Sequence, residues 1–307
     1  MTEAIAATAL VVGESLVDIV RGGDGSTIEF PGGSAANVAV ALARLGREVR
    51  FATSWGDDER GRTLDERLSR DGVALATDPH AVGHTSTALA TIGSDGAASY
   101  DFDLAWRLNQ VTSGLDARVV HTCSLGAVLT PGCEDVLALL ERMRATATIS
   151  YDVNARPAIT GTGPDLVERV EAVAALSDVV KASDEDLEAL YDGVDPVVGA
   201  KRLLALGPSV VVVTRGQQGA TWVSPSQLID VASVPVVVAD TIGAGDTFGA
   251  GMIDALWTRD LLGADRRNAL VDVTRDLVVS VLAHAARAAS ITVSRPGADP
   301  PYHHELR

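Results

Sequence analysis

Cysteine is scarce in this chain of 307 residues, in which Cys123 and Cys133 are the only two. They have neither CxxC spacing nor a paired histidine, which excludes a disulfide framework and argues against a cysteine-based metal site. We therefore expect two buried free thiols in a reducing compartment.

Basic residues are also few. Lysine and arginine number 25 against 41 aspartates and glutamates, which gives a net charge of −16. An acidic surface repels phosphate backbones, so we expect no nucleic-acid partner. An anionic small ligand would have to bind where backbone N–H groups or a metal ion offset this charge. Aromatic residues make up only 4% of the chain and hydrophobic residues 47%, which predicts an aliphatic core.

Long apolar runs are absent. No run approaches the roughly 20 residues of a membrane span. The first 16 residues lack the basic segment that precedes the apolar part of a signal peptide. We therefore expect a cytoplasmic protein with no membrane partner.

Short β-branched runs alternate with helical patterns along most of the chain. Strands are predicted at 9–12, 49–53, 118–122, 148–153, 179–181 and 209–214, and helices at 37–45, 61–71, 134–144 and 183–190. This alternation predicts an α/β fold with a doubly wound, mostly parallel sheet and helices on both faces. No linker divides the chain, so we expect a single domain over 1–307.

Two segments depart from this rhythm. Residues 16–30 and 85–102 each have two extended arms around a glycine turn, at 22–25 and 93–96. Both patterns predict β-hairpins. Together, over about 16–30 and 85–103, they would form a small β-sheet lid outside the main sheet.

The strongest chemical motif is DTIGAGDTFGAG, at 240–251. A β-run at 234–239 is predicted before it and an apolar helix after it. Gly243 and Gly245 would let an anion approach the backbone N–H groups and the positive end of the helix dipole. Asp246 would repel a bound phosphate, but it is well placed to take a proton from a hydroxyl that attacks the phosphate. The alternative is a helix-capping aspartate.

Two better-known nucleotide motifs do not fit this segment. The Walker loop requires a GK[ST] ending, which is absent. The dinucleotide fingerprint requires GxGxxG, whereas Gly243, Gly245 and Gly249 are spaced one residue too far apart. The spacing therefore argues against a dinucleotide-binding oxidoreductase.

A second motif is PGGSAANVAVALARLG, at 31–46. Gly32 and Gly33 predict a turn, Ser34 a helix N-cap, and Asn37 an amide near the helix start that could reach a ligand. The alternative is an ordinary glycine turn into a core helix.

Together these motifs resemble the two signatures of the ribokinase-like (PfkB) carbohydrate kinases, and the resemblance extends over nearly the whole chain. It includes GESLVD at 13–18, the D-x-N-x-R pattern at 152–156, TRGQQGA at 214–220 and the closing loop at 290–301. The resemblance implies an enzyme that transfers the γ-phosphoryl group of ATP to a sugar hydroxyl, with Mg²⁺ bridging the phosphates.

The resemblance also implies roles for individual residues. Asp246 would be the catalytic base, and the backbone amides of Ala244, Gly245 and Asp246, after the turn at Gly243, would hold the developing charge. The sugar would be bound by Asp18, Gly32, Gly33, Asn37 and Arg156. The nucleotide and its metal would lie near Thr214, Gly216, Gly219, Ser183 and Asp186. A monovalent cation, K⁺, would lie near Asp240, Ile242, Thr292, Arg295 and Gly297.

One departure concerns the metal. Many members carry N-x-x-E where Ser183 and Asp186 stand here. The carboxylate is retained but its reach is shorter, and the same residues could serve only as a capped, acidic helix start.

Fructose is the favoured substrate because GESLVD and the glycine-pair motif look fructokinase-like. The alternatives are 2-keto-3-deoxygluconate, ribose and nucleosides. Asp101 and Asp103 in the lid would repel an acid substrate, whereas Arg156 could attract one. An inactive sugar-binding regulator is a different class, against which the intact Asp246 argues. In many relatives the lid pairs with a second subunit, so a homodimer is expected.

Overall fold

A computed structural model describes residues 8–22, 25–92 and 98–307. The strands are β1 (Thr8–Val12), β2 (Leu16–Arg21), β3 (Thr27–Gly32), β4 (Glu48–Ala52), β5 (Ala74–Leu75), β6 (Thr87–Ile92), β7 (Ala98–Asp103), β8 (Val119–Cys123), β9 (Thr148–Asp152), β10 (Val179–Ser183), β11 (Val210–Thr214), β12 (Ala220–Val223) and β13 (Leu228–Val231). The helices are α1 (Ser34–Arg44), α2 (Glu59–Arg70), α3 (Ser124–Val128), α4 (Gly132–Met143), α5 (Pro157–Thr160), α6 (Pro164–Leu176), α7 (Asp184–Leu190), α8 (Pro196–Leu204), α9 (Ala244–Thr258), α10 (Arg267–Val271) and α11 (Arg275–Val293).

The main sheet confirms the predicted doubly wound fold. Within the described residues its order is β13-β12-β11-β10-β9-β8-β1-β4-β5. Strands from β11 to β5 pair in parallel, whereas β12 and β13 add antiparallel at one edge. The chain moves outward from β1 first to β4 and β5, and later to β8 and beyond. The winding therefore reverses between β1 and β8, where ligands of such folds bind.

Both faces of this sheet are buried under helices, which explains the nearly continuous apolar strands. One apolar cluster contains buried residues of α1, α2, α9 and α11, and the other contains buried residues of α4, α6, α7 and α8. In β11 the run VVVV is fully buried, as expected for a central strand whose branched side chains pack on both faces.

The two predicted hairpins form a separate sheet, in the order β3-β2-β6-β7. Strands β2 and β3 pair antiparallel, as do β6 and β7, and β2 pairs with β6 in parallel. This confirms the small second sheet. Residues 23–24 and 93–97 of the two predicted glycine turns lie outside the described residues.

Small residues let three helices approach each other and the sheet closely. A Cβ on Gly251 of α9 would lie 3.0 Å from the Ala285 backbone of α11, and one on Gly13 would lie 2.6 Å from Ala35 of α1. In the described part of the chain, α11 is the one helix long and apolar enough to cross a membrane. Its buried face packs against α9, which makes it a core helix of this fold.

Two local predictions are wrong. Residues 234–239 are not a strand, because Pro235 has no N–H to donate and the segment is exposed, with Val237 at 87%.

Ser34 is not an N-cap either. Helix α1 is capped by Gly33, whose φ of 102° is accessible to glycine, and Ser34 is the first helical residue. Its hydroxyl is therefore free to act elsewhere.

Candidate active site

The candidate site lies at the carboxyl ends of the central strands, near the reversal point between β1 and β8. Glu14 follows β1, while Cys123, Asp152 and Ser183 end β8, β9 and β10. Register pairing places Cys123 beside Asp152 and Ser183 beside Thr214 at the end of β11. The start of α9 faces this edge, so residues far apart in sequence converge there.

Asp246 is buried in the first turn of α9, and three side chains hold its carboxylate. The Ser34 hydroxyl donates to Oδ1 at 2.5 Å, and the Asn37 amide donates to Oδ2 at 2.8 Å. The Asn154 amide donates to Ser34 Oγ at 2.7 Å and lies 3.4 Å from Asp246 Oδ1. Both predicted motifs therefore meet at one carboxylate.

The capping alternative for Asp246 does not hold. The N-cap of α9 is Gly243, with a φ of 73°, and no side chain caps the helix. Gly245 and Asp246 occupy the second and third helical positions, where backbone N–H groups have no intrahelical acceptor. The N–H of Ala244 instead donates to the Thr241 carbonyl at 3.3 Å. A carboxylate thus lies beside N–H groups that can bind an anion.

Asp18 lies on β2 against the glycine pair. A Cβ on Gly32 would come within 2.2 Å of Asp18 Oδ2, so only glycine leaves room for this carboxylate. Burial raises the pKa of Asp18 to about 6, although the nearby charges of Arg67 and Arg156 lower it. The side chain is therefore largely ionised at neutral pH and can accept hydrogen bonds from hydroxyl groups.

Glu14 connects the elements around the base. Its two carboxylate oxygens accept the backbone N–H groups of Ser34 at 3.1 Å and Gly126 at 2.7 Å. Gly33 packs directly on this strand end, because a Cβ there would lie 2.7 Å from the Glu14 carbonyl. Burial raises the pKa of Glu14 to about 7, although its backbone hydrogen bonds lower it.

A buried ion pair lies beneath the start of α9. Lys181 Nζ contacts both carboxylate oxygens of Asp152, at 2.8 and 2.9 Å, and the side chains are 5% and 1% exposed. Burial alone would lower the pKa of Lys181, but Asp152, Asp186 and Asp246 reverse this effect and raise it. A Cβ on Gly245 would lie 3.4 Å from Lys181 Nζ, so the ammonium group lies against the glycine turn.

Ser183 and Asp186 form a capping box at the start of α7. Asp186 N donates to Ser183 Oγ at 3.0 Å, and the Asp186 carboxylate accepts the N–H groups of Ser183 at 2.7 Å and Ala155 at 2.8 Å. These bonds also fix the loop that carries Asn154 and Arg156. Arg156 itself is exposed, and its guanidinium donates to the carbonyls of its own loop.

The two predicted nucleotide glycines differ in their surroundings. Gly216 begins a 3₁₀ turn after β11 and has a φ of 49°, with no neighbour within 4 Å of a Cβ. Gly219 packs against backbone, because a Cβ would lie 2.1 Å from the Val231 carbonyl. Gly216 therefore borders open space, whereas Gly219 serves the packing of the edge strands.

The predicted cation residues are only partly brought together. The Asp240 carboxylate accepts the N–H groups of Ile242 at 3.0 Å and Gly297 at 2.8 Å, which joins the two loops behind Gly243. These bonds lower the pKa of Asp240. The buried Thr292 hydroxyl donates to Thr247 Oγ1 at 3.0 Å instead. Arg295 pairs with Asp299 and Glu305, toward the end of the chain.

Three contacts of the site were not predicted. The sequence predicts Ser34 only as a helix cap, and it contains Glu14 only as part of the GESLVD motif. Arg67 donates to Asn37 Oδ1 at 2.9 Å, yet its sequence pattern is that of any arginine on an amphipathic helix. Only the meeting of α1, α2 and α9 in three dimensions reveals these contacts.

The lid aspartates do not face the candidate sugar site. In the small sheet Asp18 lies opposite Phe30 and Ala88, and Ala88 lies opposite Phe102. Because side chains alternate along a strand, Asp101 and Asp103 lie on the other face from Asp18. His84 Nε2 lies 2.8 Å from an Asp103 oxygen on that side. The argument that these carboxylates repel an acid substrate is therefore wrong.

A glycine-rich helix start beside a buried carboxylate, at the reversal point of a doubly wound sheet, is suited to phosphoryl transfer. The sequence profile of the pfkB family carbohydrate kinase matches residues 7–305. The chain therefore belongs to the pfkB family of carbohydrate kinases, which confirms the predicted family and class of enzyme.

Curated relatives include fructokinases. The chain is 34% identical to one from Rhizobium leguminosarum bv. trifolii over 265 residues, which cover 82% of this chain and 81% of the relative. It is 32% identical to one from Klebsiella pneumoniae over 255 residues, which cover 80% and 83%.

A solved structure of a fructokinase with bound ATP from Xylella fastidiosa superimposes with a TM-score of 0.85. It is 27% identical, and the match covers 98% of this chain and 97% of that one. A fructokinase from Vibrio cholerae O395 with bound fructose, ADP and calcium gives a TM-score of 0.75 at 25% identity, covering 95% and 94%.

Proposed function

We propose that this protein phosphorylates fructose with ATP. The observation that carries the proposal is the Asp246 carboxylate, which is buried beside free helix N–H groups and held by two residues of the glycine-pair motif. The fructokinase relatives support the choice of sugar. Asp18 supports a neutral polyol over an acid, because its own charge would repel a carboxylate at neutral pH.

Each group has a role in this scheme. Asp18, Gly32, Gly33, Asn37 and Arg156 bind the sugar so that one hydroxyl lies against Asp246. Asp246 accepts the proton of that hydroxyl as its oxygen attacks the γ-phosphorus and the bond to the ADP leaving oxygen breaks. The N–H groups of Gly245 and Asp246 stabilise the charge that develops on the transferring group. Ala244 contributes less, because its N–H is partly engaged by Thr241.

The nucleotide would lie along the ends of β10 and β11. Thr214 is half-buried and Gly216 borders open space there, and the glycine turn at 243–245 would receive the phosphates. The described residues contain no group of three or more His, Cys, Asp or Glu side chains that could hold a metal ion. We therefore propose that Mg²⁺ arrives with ATP. Asp186 and Ser183 would contact its water shell, since each carboxylate oxygen can accept more than one hydrogen bond.

The experiment that tests the function is an ADP-release assay over a panel of fructose, ribose, 2-keto-3-deoxygluconate and nucleosides. We expect the highest kcat/KM with fructose and no turnover after EDTA treatment until Mg²⁺ is restored. A ranking led by the keto acid would overturn the substrate. No sugar-dependent ADP release, together with intact sugar binding, would favour the inactive regulator.

We also propose that K⁺ raises activity. The support is the contact between the Asp240 loop and Gly297 directly behind Gly243, where backbone carbonyls can bind a monovalent cation. Ile242, Thr292 and Arg295 would contribute carbonyls. Equal rates in Na⁺-free buffer with and without K⁺ would contradict this.

The small sheet supports a homodimer. The face that carries Asp18 also carries Ile28, Phe30 and Tyr100, which are 56%, 50% and 63% exposed. An apolar sheet face of this kind requires a cover, and a second copy of the same face can supply it. Light scattering should give twice the mass of one chain, and Ile28→Lys should reduce the measured mass to that of one chain.

We propose that the protein is located in the cytoplasm. The buried free thiols of Cys123 and Cys133 fit that reducing compartment.

A further inference from the structure

Arg67 is a half-buried arginine of α2 to which neither motif points. Its Nη1 donates to the Pro31 carbonyl at 2.6 Å and its Nη2 to Asn37 Oδ1 at 2.9 Å. Both acceptors belong to the glycine-pair segment. In the part of the chain that the structure describes, Arg67 forms no direct ion pair. Its charge is balanced by Asp18, Asp71 and Asp246, while Arg44 opposes it.

A half-buried cation without a direct counter-ion is costly to stability, and hydrogen bonds from its guanidinium offset part of that cost. The hydrogen bond to Asn37 also fixes a direction. An asparagine amide has a donor end and an acceptor end, and a guanidinium can only donate. Arg67 therefore fixes the Asn37 oxygen toward itself, and the amide nitrogen must point to Asp246, where it donates at 2.8 Å.

The reversed amide would be disfavoured at both ends. Its NH₂ group would face the guanidinium and its oxygen would face the Asp246 carboxylate. Two repulsive contacts would then replace two hydrogen bonds to charged groups, which are stronger than those between neutral groups. Arg67 and Asp246 together thus set the donor direction of a side chain that the proposed function assigns to the sugar.

We propose that Arg67 is a positioning residue of the sugar site, which acts through Asn37 to orient the donor that faces the sugar hydroxyl and Asp246. This inference rests on the proposed function of that site. This positioning role differs from that of merely tethering α2 to the small sheet. Arg60 of the same helix provides a tether of that kind, through Glu29 at 2.6 Å, and does not contact Asn37.

The kinetic test is a double-mutant cycle. Arg67→Met should lower kcat/KM for the sugar about 10–100-fold, the value of one charge-assisted hydrogen bond, with little change in KM for ATP. In an Asn37→Ala background the same change should cost less than about threefold, because the group through which it acts is gone. Arg67→Lys should recover part of the loss, since its ammonium group keeps the charge and can donate to Asn37 Oδ1.

Arg60→Met is the matched control. Its exposed ion pair should contribute little, so kcat/KM should remain within about twofold. An equal loss in Arg60→Met, or an undiminished loss from Arg67→Met in the Asn37→Ala background, would overturn the positioning role. The cycle is run with whichever panel sugar gives the highest kcat/KM, so a wrong choice of sugar does not affect it.

A second readout needs no turnover. The side-chain amide ¹H–¹⁵N signals of Asn37 are assigned by their loss in Asn37→Ala. They should shift in Arg67→Met and stay unchanged in Arg60→Met, in the absence of any ligand. Unchanged signals in folded Arg67→Met would show that Arg67 does not hold the amide, whether or not the protein is a fructokinase.

Discussion

The Ser34 hydroxyl donates a 2.5 Å hydrogen bond to the carboxylate of Asp246, across a separation of 212 residues in the chain. The two residues lie in the first turns of different helices, α1 and α9, and each comes directly after glycine. Because Gly33 and not Ser34 caps α1, the serine hydroxyl is available to the carboxylate. The two sequence motifs are thus halves of one site.

Removing this contact should affect rate more than fold. In Ser34→Ala the carboxylate loses one donor and gains rotational freedom, so we expect kcat to fall several-fold and stability by about 1 kcal/mol. Steady-state kinetics and thermal unfolding would measure both. Thr63→Ala, which removes an exposed hydroxyl on α2, is the control. An unchanged kcat would mean that Asn37 alone orients Asp246.

Ionisation of Asp18 should make kcat/KM for the sugar fall at acid pH, as an acid limb of the pH profile. Its pKa is raised to about 6 by burial. If the ionised form accepts sugar hydroxyls, kcat/KM should rise through a midpoint near pH 6 in the wild type. Asp18→Asn should have low kcat/KM and should lose this limb. A pH profile of Asp18→Asn with the same midpoint would assign the titration to another group.

The same residue should destabilise the fold at neutral pH. A carboxyl group whose pKa is higher when folded, about 6, than its ordinary 3.8 binds its proton more tightly in the folded state. Its contribution to the free energy of unfolding therefore falls as pH rises from about 4 to about 6, and stays low above that range. Asp18→Asn should accordingly unfold at a higher temperature at pH 7.5, while the difference should vanish near pH 4. A lower melting temperature at pH 7.5 would contradict this.

Substitutions in the buried pair of Lys181 and Asp152 should have different effects on the free energy of unfolding and on kcat. Lys181→Met leaves a buried carboxylate without its partner, which typically costs about 3–5 kcal/mol. Adding Asp152→Asn should restore much of that stability, because no uncompensated charge remains. Since Lys181 lies against Gly245, we expect kcat to stay low in the double variant. Full recovery of kcat together with stability would make the pair purely structural.

The sequence predicted those parts of the site that depend on local backbone chemistry. Glycine turns, the acidic first turn of α9 and the alternation of strands and helices are local patterns, and the motifs contain Asp246 and Asn37, which the structure brings together. It could not predict contacts that arise from packing between distant elements. Arg67 has no local signal, and Ser34 has the local signal of a cap.

Two further errors have similar origins. Residues 234–239 have the composition of a strand, but composition does not supply a neighbouring strand to pair with, and Pro235 cannot donate. Sequence alone does not determine which face of a sheet meets the ligand, so it does not show on which side the lid aspartates lie. The register of the strands determines the face, and it places them on the other face of the sheet from Asp18.

The most direct test of the account is the turnover of Asp246→Asn with fructose and ATP, together with calorimetric binding of both. The introduced amide can still accept from Asn37 and donate to Ser34, so the fold and both binding constants should be retained. It cannot take the hydroxyl proton, so kcat should fall about 10²–10⁴-fold. A kcat near that of the wild type would contradict the assignment of Asp246 as the base.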